Sequence, residues 1–453
     1  MTERPERDGR TAGRALGEAA SADLPPGVRV VMDVRALQEP ARAPRTAAYL
    51  DGLLSGFDDD PRPGESFAFL LASDEDDPTT RFEHLEVVGR RMLPPTRLLR
   101  QAALTVDPFV LRGASVGAAW RAERGGAAGA VYHAAGNAVP IASGLPTVVT
   151  LLDLAPWELP GAFQRGTASR FGQRLRARLL RDAAAVLVGT DAVARSARRL
   201  LHLRRDRMHV VPLAPRPAYT AAAQPDPARA AAARAATDRL GLGDRYLVYQ
   251  GRHDVRQDAA TLMAALASLG SAGRPARLAP EADWPPRILV LDATPDDRAS
   301  LARIAGRHGA GEQLVYAPIL PLEETAAIVT AARAVVLPVV SEASGLVAID
   351  ALAAGVPVIA SAVGALPEIV GSAGILVEPR DRERLAVAIA TAWGDDAVRA
   401  GIMAAARTRA ATPDEARTWV DVANDVRAIY AAVGRREGPP AGPSGGADGA
   451  VSP

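Results

Sequence analysis

The 453-residue chain has no cysteine. That absence excludes disulfides, zinc–thiolate sites and thiol nucleophiles. Nor is there a lysine, so all 53 basic residues are arginine. Without an ε-amino group no pyridoxal Schiff base can form, and pyridoxal-dependent chemistry is excluded. Long apolar runs are missing too: no uninterrupted stretch reaches the roughly 18 residues that a membrane-spanning helix requires. Aromatic residues are scarce, at 4%. An excess of one charge is lacking as well, since the formal net charge is only +1, which predicts no nucleic-acid-binding surface. No Asp or His cluster has metal-ligand spacing, so neither a metal nor a cofactor is expected. Residues 1–27 are polar and carry no hydrophobic core segment, which argues against a secretory signal and makes the cytoplasm the default compartment.

What is present is globular: 48% hydrophobic against 23% charged, long enough for two domains. Short β-branched runs alternate with Ala/Arg/Leu-rich stretches, the signature of an α/β fold. A first series of strands is predicted at 28–33, 66–71, 85–88, 130–133, 147–152, 185–188 and 209–212. A second falls at 246–251, 287–291, 313–317, 334–337, 358–361 and 374–377, and residues 272–286, with four prolines, read as a surface loop. The predicted organisation is a disordered tail (1–27), a first domain (28–217), a linker with a helix (218–242), a second domain (243–411), a terminal helix (412–433) and a second tail (434–453). Trp419, Val422, Val426, Ile429 and Tyr430 give that helix one apolar face.

The most specific stretch runs from Pro338 to Gly371. Glu342 and Asp350 stand eight positions apart, with Ser344, Gly345 and Leu346 between them and Gly355-Val356-Pro357-Val358-Ile359 after them. The pattern predicts a strand end, a turn, a helix over 346–354 stopped at Gly355, and a second strand. Amides around Gly345 and Leu346 at the helix mouth then form an anion site suited to a diphosphate. Asp350 lies about 12 Å from Glu342 along the axis at 1.5 Å per residue.

This segment resembles the donor-site signature of retaining nucleotide-sugar glycosyltransferases of family 4, mannosyltransferase-like enzymes of the GT-B fold. Pro338, Glu342, Gly345, Leu346, Ala354, Gly355, Pro357 and Ser361 match in register, as does Leu366-Pro367-Glu368-Ile369-Val370. The resemblance implies two Rossmann-like domains with parallel sheets facing across a cleft, and a terminal helix crossing back to the first. It also implies that Glu342 contacts the donor sugar and Asp350 the ribose hydroxyls.

Tyr249 to Asp258 follows a strand and precedes a helix, a sound phosphate-binding arrangement in such a sheet. By resemblance Arg252 and Arg256 grip the diphosphate, but Gln257 stands where the family has lysine, so one cation is lost. In the first domain, Leu152 takes the place of the family's histidine beside the reacting sugar, while Asp153 remains. Turn capping is an equal reading for Asp153. The glycine-rich loop expected after Asp33-Val34-Arg35 reads Ala41-Arg42-Ala43-Pro44-Arg45-Thr46, where Arg45 is an acceptor-side candidate by charge or simply part of a surface loop. His133 is a second acceptor-side candidate, with a satisfied structural histidine as the competing reading. The base is expected near Tyr316-Ala317. The arginines at 165, 170, 174, 176, 178 and 181 read as a solvated helix face, with peripheral contact to anionic lipid as the alternative.

Two functions follow. One is hexosyl transfer, with retention, from a nucleotide-diphosphate sugar to a carbohydrate, lipid-linked or small-molecule acceptor. The other, motivated by Gln257, Leu152 and the missing glycines, is an inactive transferase-like binding module or partner subunit. Neither the donor base nor the oligomeric state is legible.

Overall fold

The computed structural model describes residues 28–94, 103–124, 129–136, 139–243, 245–250, 253–276, 278, 282–410 and 416–434. The two expected tails, apart from Gly434, and Arg252 lie outside the described residues.

Seven strands form the first sheet: β1 (Val28–Asp33), β2 (Ser66–Ala72), β3 (Val87–Leu93), β4 (Gly129–Ala135), β5 (Thr147–Thr150), β6 (Ala185–Val188) and β7 (Met208–Val210). Six form the second: β8 (Leu247–Gln250), β9 (Ile288–Leu291), β10 (Leu314–Tyr316), β11 (Ala334–Leu337), β12 (Val358–Ser361) and β13 (Gly374–Val377). The orders are β3-β2-β1-β4-β5-β6-β7 and β10-β9-β8-β11-β12-β13. Every pairing between strands of these two sheets is parallel. In each sheet the winding reverses between two neighbours, β1 and β4 in the first and β8 and β11 in the second. Connections leave such a pair on opposite faces, so a crevice opens beyond the strand ends.

Successive side chains on a strand point to opposite faces. Along β1, Val30 and Met32 enter one core and Val31 another. Both faces are covered by helices, which is why these strands read as continuous apolar runs. The expected third strand at 85–88 is displaced to Val87–Leu93, because an edge strand exposes arginines that an apolar-run criterion rejects.

The expected linker is mostly helix: Pro217–Ala222 and Pro227–Arg239. Tyr219, Ala222, Ala233 and Ala236 join a core of the second domain. The first crossing between domains is therefore shorter than expected, at 211–216.

The terminal helix runs Trp419–Gly434, and residues 412–415 of the expected 412–433 lie outside the described residues. Thr418 and Asp421 set its start: Asp421 accepts from the Thr418 amide at 2.7 Å, and the Thr418 hydroxyl accepts from the Asp421 amide at 3.3 Å. The helix returns to the first domain, where Trp419, Val422, Val426 and Tyr430 share a core with Tyr49, Leu53 and Phe57. Gly52 on the helix Pro44–Asp59 makes room for the indole, since a Cβ there would stand 2.1 Å from the Trp419 ring. Arg427, buried, donates to Glu65 at 2.9 Å and to the Asp60 carbonyl at 2.7 Å.

Candidate active site

Glu342 lies in the turn after β11, opposite the loop that follows β8. Its Oε1 accepts from the Ser344 amide at 3.0 Å, the Ser344 hydroxyl at 2.8 Å and the Gly345 amide at 3.0 Å. Gly345, at φ 66°, supplies the left-handed conformation that starts the helix Leu346–Ala353. This corrects the expectation that the amides near Gly345 face outward for a ligand. Those of Ser344 and Gly345 already hold the chain's own carboxylate, and the first amides of the helix itself, at Leu346 and Val347, have no acceptor one turn back.

The second oxygen of Glu342 accepts from Arg45 Nη2 at 3.1 Å, across the cleft. Burial pushes the Glu342 carboxyl up, but Arg45, Gly345 and Ser344 together hold it below its ordinary range. Glu342 reciprocally holds Arg45 firmly protonated.

Arg256 makes the mirror contact. It reaches from the second domain to Asp153 of the first, with Nε 3.2 Å from Oδ1 and Nη2 against Oδ2. It also pairs with Asp254. Asp153 has the capping role too, accepting from the Ala155 amide at 2.9 Å. Burial raises its carboxyl, Arg256 outweighs that, and the net direction is down. Arg45, Glu342, Asp153, Arg256 and Asp254 thus form one set of five charges, two from the first domain and three from the second.

Gln257 turns its side-chain carbonyl to the Asp254 amide at 2.9 Å, which organises the loop. Leu152 is core.

Asp350 is placed differently. It is fully buried, and its carboxylate accepts the backbone amide of Arg216 at 2.8 Å and Arg216 Nε at 2.8 Å. Arg216 Nη2 stands 2.7 Å from the same carboxylate. Burial pushes the Asp350 carboxyl up against the pull of this guanidinium. Arg216 also lies over the Tyr219 ring, and Gln250 bridges Tyr219 and Asp292. Asp350 therefore fastens the first crossing segment to the second domain.

His133 does not face the cleft. It is fully buried, its Nε2 is 2.8 Å from the Thr150 hydroxyl, and its Nδ1 is 2.5 Å from the Tyr430 hydroxyl. Burial lowers its pKa to about 3, so the ring is neutral. The structural reading holds, and the acceptor-side expectation for His133 is corrected.

Tyr316 packs under Arg298, while both backbone groups of Ala317 are engaged: its amide by the Val290 carbonyl at 3.1 Å, its carbonyl by Arg298. Of the six arginines at 165–181, Arg176 is buried and lies over the Trp157 ring, so that face is narrower than expected.

Two further ties cross the cleft and were not anticipated. Glu158 accepts from the Ser341 hydroxyl at 2.5 Å. Glu368 accepts from the Asp191 and Ala192 amides at 3.2 and 3.1 Å, an anion at the mouth of the helix Asp191–Leu201. For Glu368 a signal existed in the Leu366-Pro367-Glu368 match; for Arg216, Asp254 and Glu158 none did.

Residues 245–395 match the family model of the group 1 glycosyl transferases. The second half of the chain carries a group 1 glycosyl transferase domain. Among curated proteins, a D-inositol 3-phosphate glycosyltransferase of Jonesia denitrificans is 30% identical over 259 residues, 56% of this chain and 58% of that protein. One from Catenulispora acidiphila is 37% identical over 142 residues, 31% of this chain and 32% of that protein. The chain thus aligns with between about a third and somewhat over half of these relatives' lengths. Solved structures extend the likeness of fold to both domains. The sucrose-phosphate synthase of Thermosynechococcus elongatus superposes with TM-score 0.63 and 21% identity, covering 89% of this chain and 98% of that one. An Anabaena protein, HepE, in complex with UDP and glucose gives 0.62 and 16%, covering 89% and 98%. The fold of the group 1 domain and its partner is GT-B.

Proposed function

We propose that this group 1 glycosyl transferase chain moves a hexosyl group, with retention, from a nucleoside-diphosphate sugar to a hydroxyl acceptor. One observation carries the reading. At the β8/β11 switch point a half-buried, ionised carboxylate and an arginine occupy neighbouring loops, and each meets an opposite charge from the facing domain. Such a site holds both ends of the reacting bond: Glu342 for hydroxyls of the sugar ring, Arg256 for the departing phosphate. Amides at Leu346 and Val347 and the Gln257 amide group add neutral donors. The bond between C1 and the phosphate oxygen breaks, the acceptor oxygen bonds to C1 on the same face, and the acceptor proton passes to the leaving phosphate.

The pentose end lies toward Asp350, and a ribose contact there requires the Arg216 pair to open. The complex of HepE with UDP and glucose supports a nucleotide-sugar donor, and the inositol phosphate glycosyltransferases support a small polyol phosphate as an acceptor to try. The test is calorimetry with UDP-, GDP- and ADP-sugars, followed by transfer to D-inositol 3-phosphate and hydrolysis in its absence. Wild type is expected to bind at least one donor and turn it over, and Glu342→Ala to lose turnover. Binding without turnover in any condition favours the inactive module instead; no binding at all sinks both.

A further inference from the structure

We infer that Arg45, a first-domain residue, is the second cation on the donor diphosphate and takes the part that position 257 cannot play. The inference rests on the donor-site reading above and deepens it. The loop after β8 brings Arg256, but Arg256 is already flanked by Asp153 and Asp254. Gln257 adds no charge, and its side-chain oxygen is spent on the Asp254 amide. Taken alone, that loop is a poor place for a dianion. Two carboxylates around one cation leave the spot net negative.

A second cation reaches the same set from across the cleft. Arg45 sits in the first turn of the helix Pro44–Asp59, on the connection that leaves β1 at the switch point of the first sheet. Its guanidinium donates to Glu342 at 3.1 Å and lies within the electrostatic field of Arg256, Asp153 and Asp254. Two guanidinium groups thus cross the cleft in opposite directions, Arg45 to Glu342 and Arg256 to Asp153. Arg176 also lies in the field of Arg256, but it is buried, lies over Trp157 and bonds to Gln173 at 3.1 Å. Arg45 keeps a quarter of its side chain exposed, so it can exchange partners.

Exchange is what donor binding requires. When Glu342 turns to the sugar hydroxyls, it releases Arg45, and a phosphate oxygen is the anion at hand. Guanidinium matches phosphate with two parallel donations, so the replacement loses no hydrogen bond. The connection from β1 here has Ala41, Ala43 and Pro44 where close backbone approach would need glycine, and a long charged side chain spans the distance instead.

The test uses the full chain with UDP, GDP, ADP and inorganic pyrophosphate, which lack the sugar, in titration calorimetry. Arg45→Gln should weaken binding of the best diphosphate at least tenfold and flatten its salt dependence. Gln257→Lys in the Arg45→Gln background should recover most of that loss, because it restores a cation at the same group from the other domain. Unchanged affinity in Arg45→Gln overturns the inference. So does a loss that Gln257→Lys fails to recover, since that outcome marks Arg45 as merely structural. Should Arg45→Gln prove unfolded by circular dichroism, Arg45→Lys replaces it, with a smaller loss and the same rescue expected. If wild type binds none of the four probes, it is the donor-site reading itself that falls.

Discussion

Glu342 and Asp350 belong to one short segment, carry the same charge and each meet an arginine, yet the two sites differ in kind. Glu342 is paired across the cleft with a partly exposed Arg45, and its carboxyl is held below the ordinary range. Asp350 is enclosed, takes a backbone amide as well as a guanidinium, and its carboxyl is pushed up by burial. One pair joins the two domains with part of its arginine exposed, and the other encloses its carboxylate. The spacing of two carboxylates in a motif therefore does not make them equivalent; what each one faces decides its work.

The difference can be broken at several points. The largest effect should come from Asp350→Ala, which leaves the half-buried Arg216 guanidinium and the Arg216 amide without their acceptor. Loss of one partner of such a pair costs about 3–5 kcal/mol, and urea unfolding should show it. If stability is unchanged, Asp350 is not a clamp. Glu342→Ala should do the reverse: roughly a 100-fold loss of donor turnover, the scale of a lost transition-state contact. Its stability should fall by less than that of Asp350→Ala, by about 1–3 kcal/mol, because the Ser344 and Gly345 amides lose their acceptor.

Gly56→Ala tests the docking of the terminal helix, because its Cβ would stand 2.1 Å from the Trp419 carbonyl. Overpacking of that sort costs about 1–3 kcal/mol, visible as a lower melting temperature. The smallest effect concerns pH. Glu342 and Asp153 are both held below their ordinary values of 4.5 and 3.8. A carboxyl depressed in the folded state contributes stability that is complete above the unfolded value and is lost as pH falls through the folded one. Wild type should therefore lose more stability than Glu342→Gln on acidification below about pH 4.5, the ordinary glutamate value. Parallel unfolding curves for the two proteins would remove the cross-cleft pair from the account.

Most of the fold was legible because most of the strands are short apolar runs bounded by turn residues; the two outer strands of the first sheet, β3 and β7, are the more exposed ones and slipped. The candidate site was legible as a proposal where it is local: Glu342, Gly345, Arg256 and Gln257 fall in two loops, and Asp350 in the helix after one of them, with patterns continuous in sequence. What escaped is what joins distant positions. Arg216 and Asp350 are 134 residues apart, Glu158 and Ser341 are 183 apart, and Arg45 and Glu342 are 297 apart. No periodicity records such pairs, since each exists only after two sheets have been set face to face. The inward turn of the Ser344 and Gly345 amides was missed for a different reason. A helix mouth advertises donors, but only coordinates show that a nearby carboxylate has taken them.

The helix Trp419–Gly434 fills the core of a domain whose own strands end at Val210. During synthesis that domain leaves the ribosome first and must wait for some two hundred further residues before Trp419 arrives between Tyr49 and Gly52. At about 5–20 residues per second that is a delay of tens of seconds at the slow end, with Phe57 and Leu53 uncovered meanwhile. The half made earliest is thus completed last.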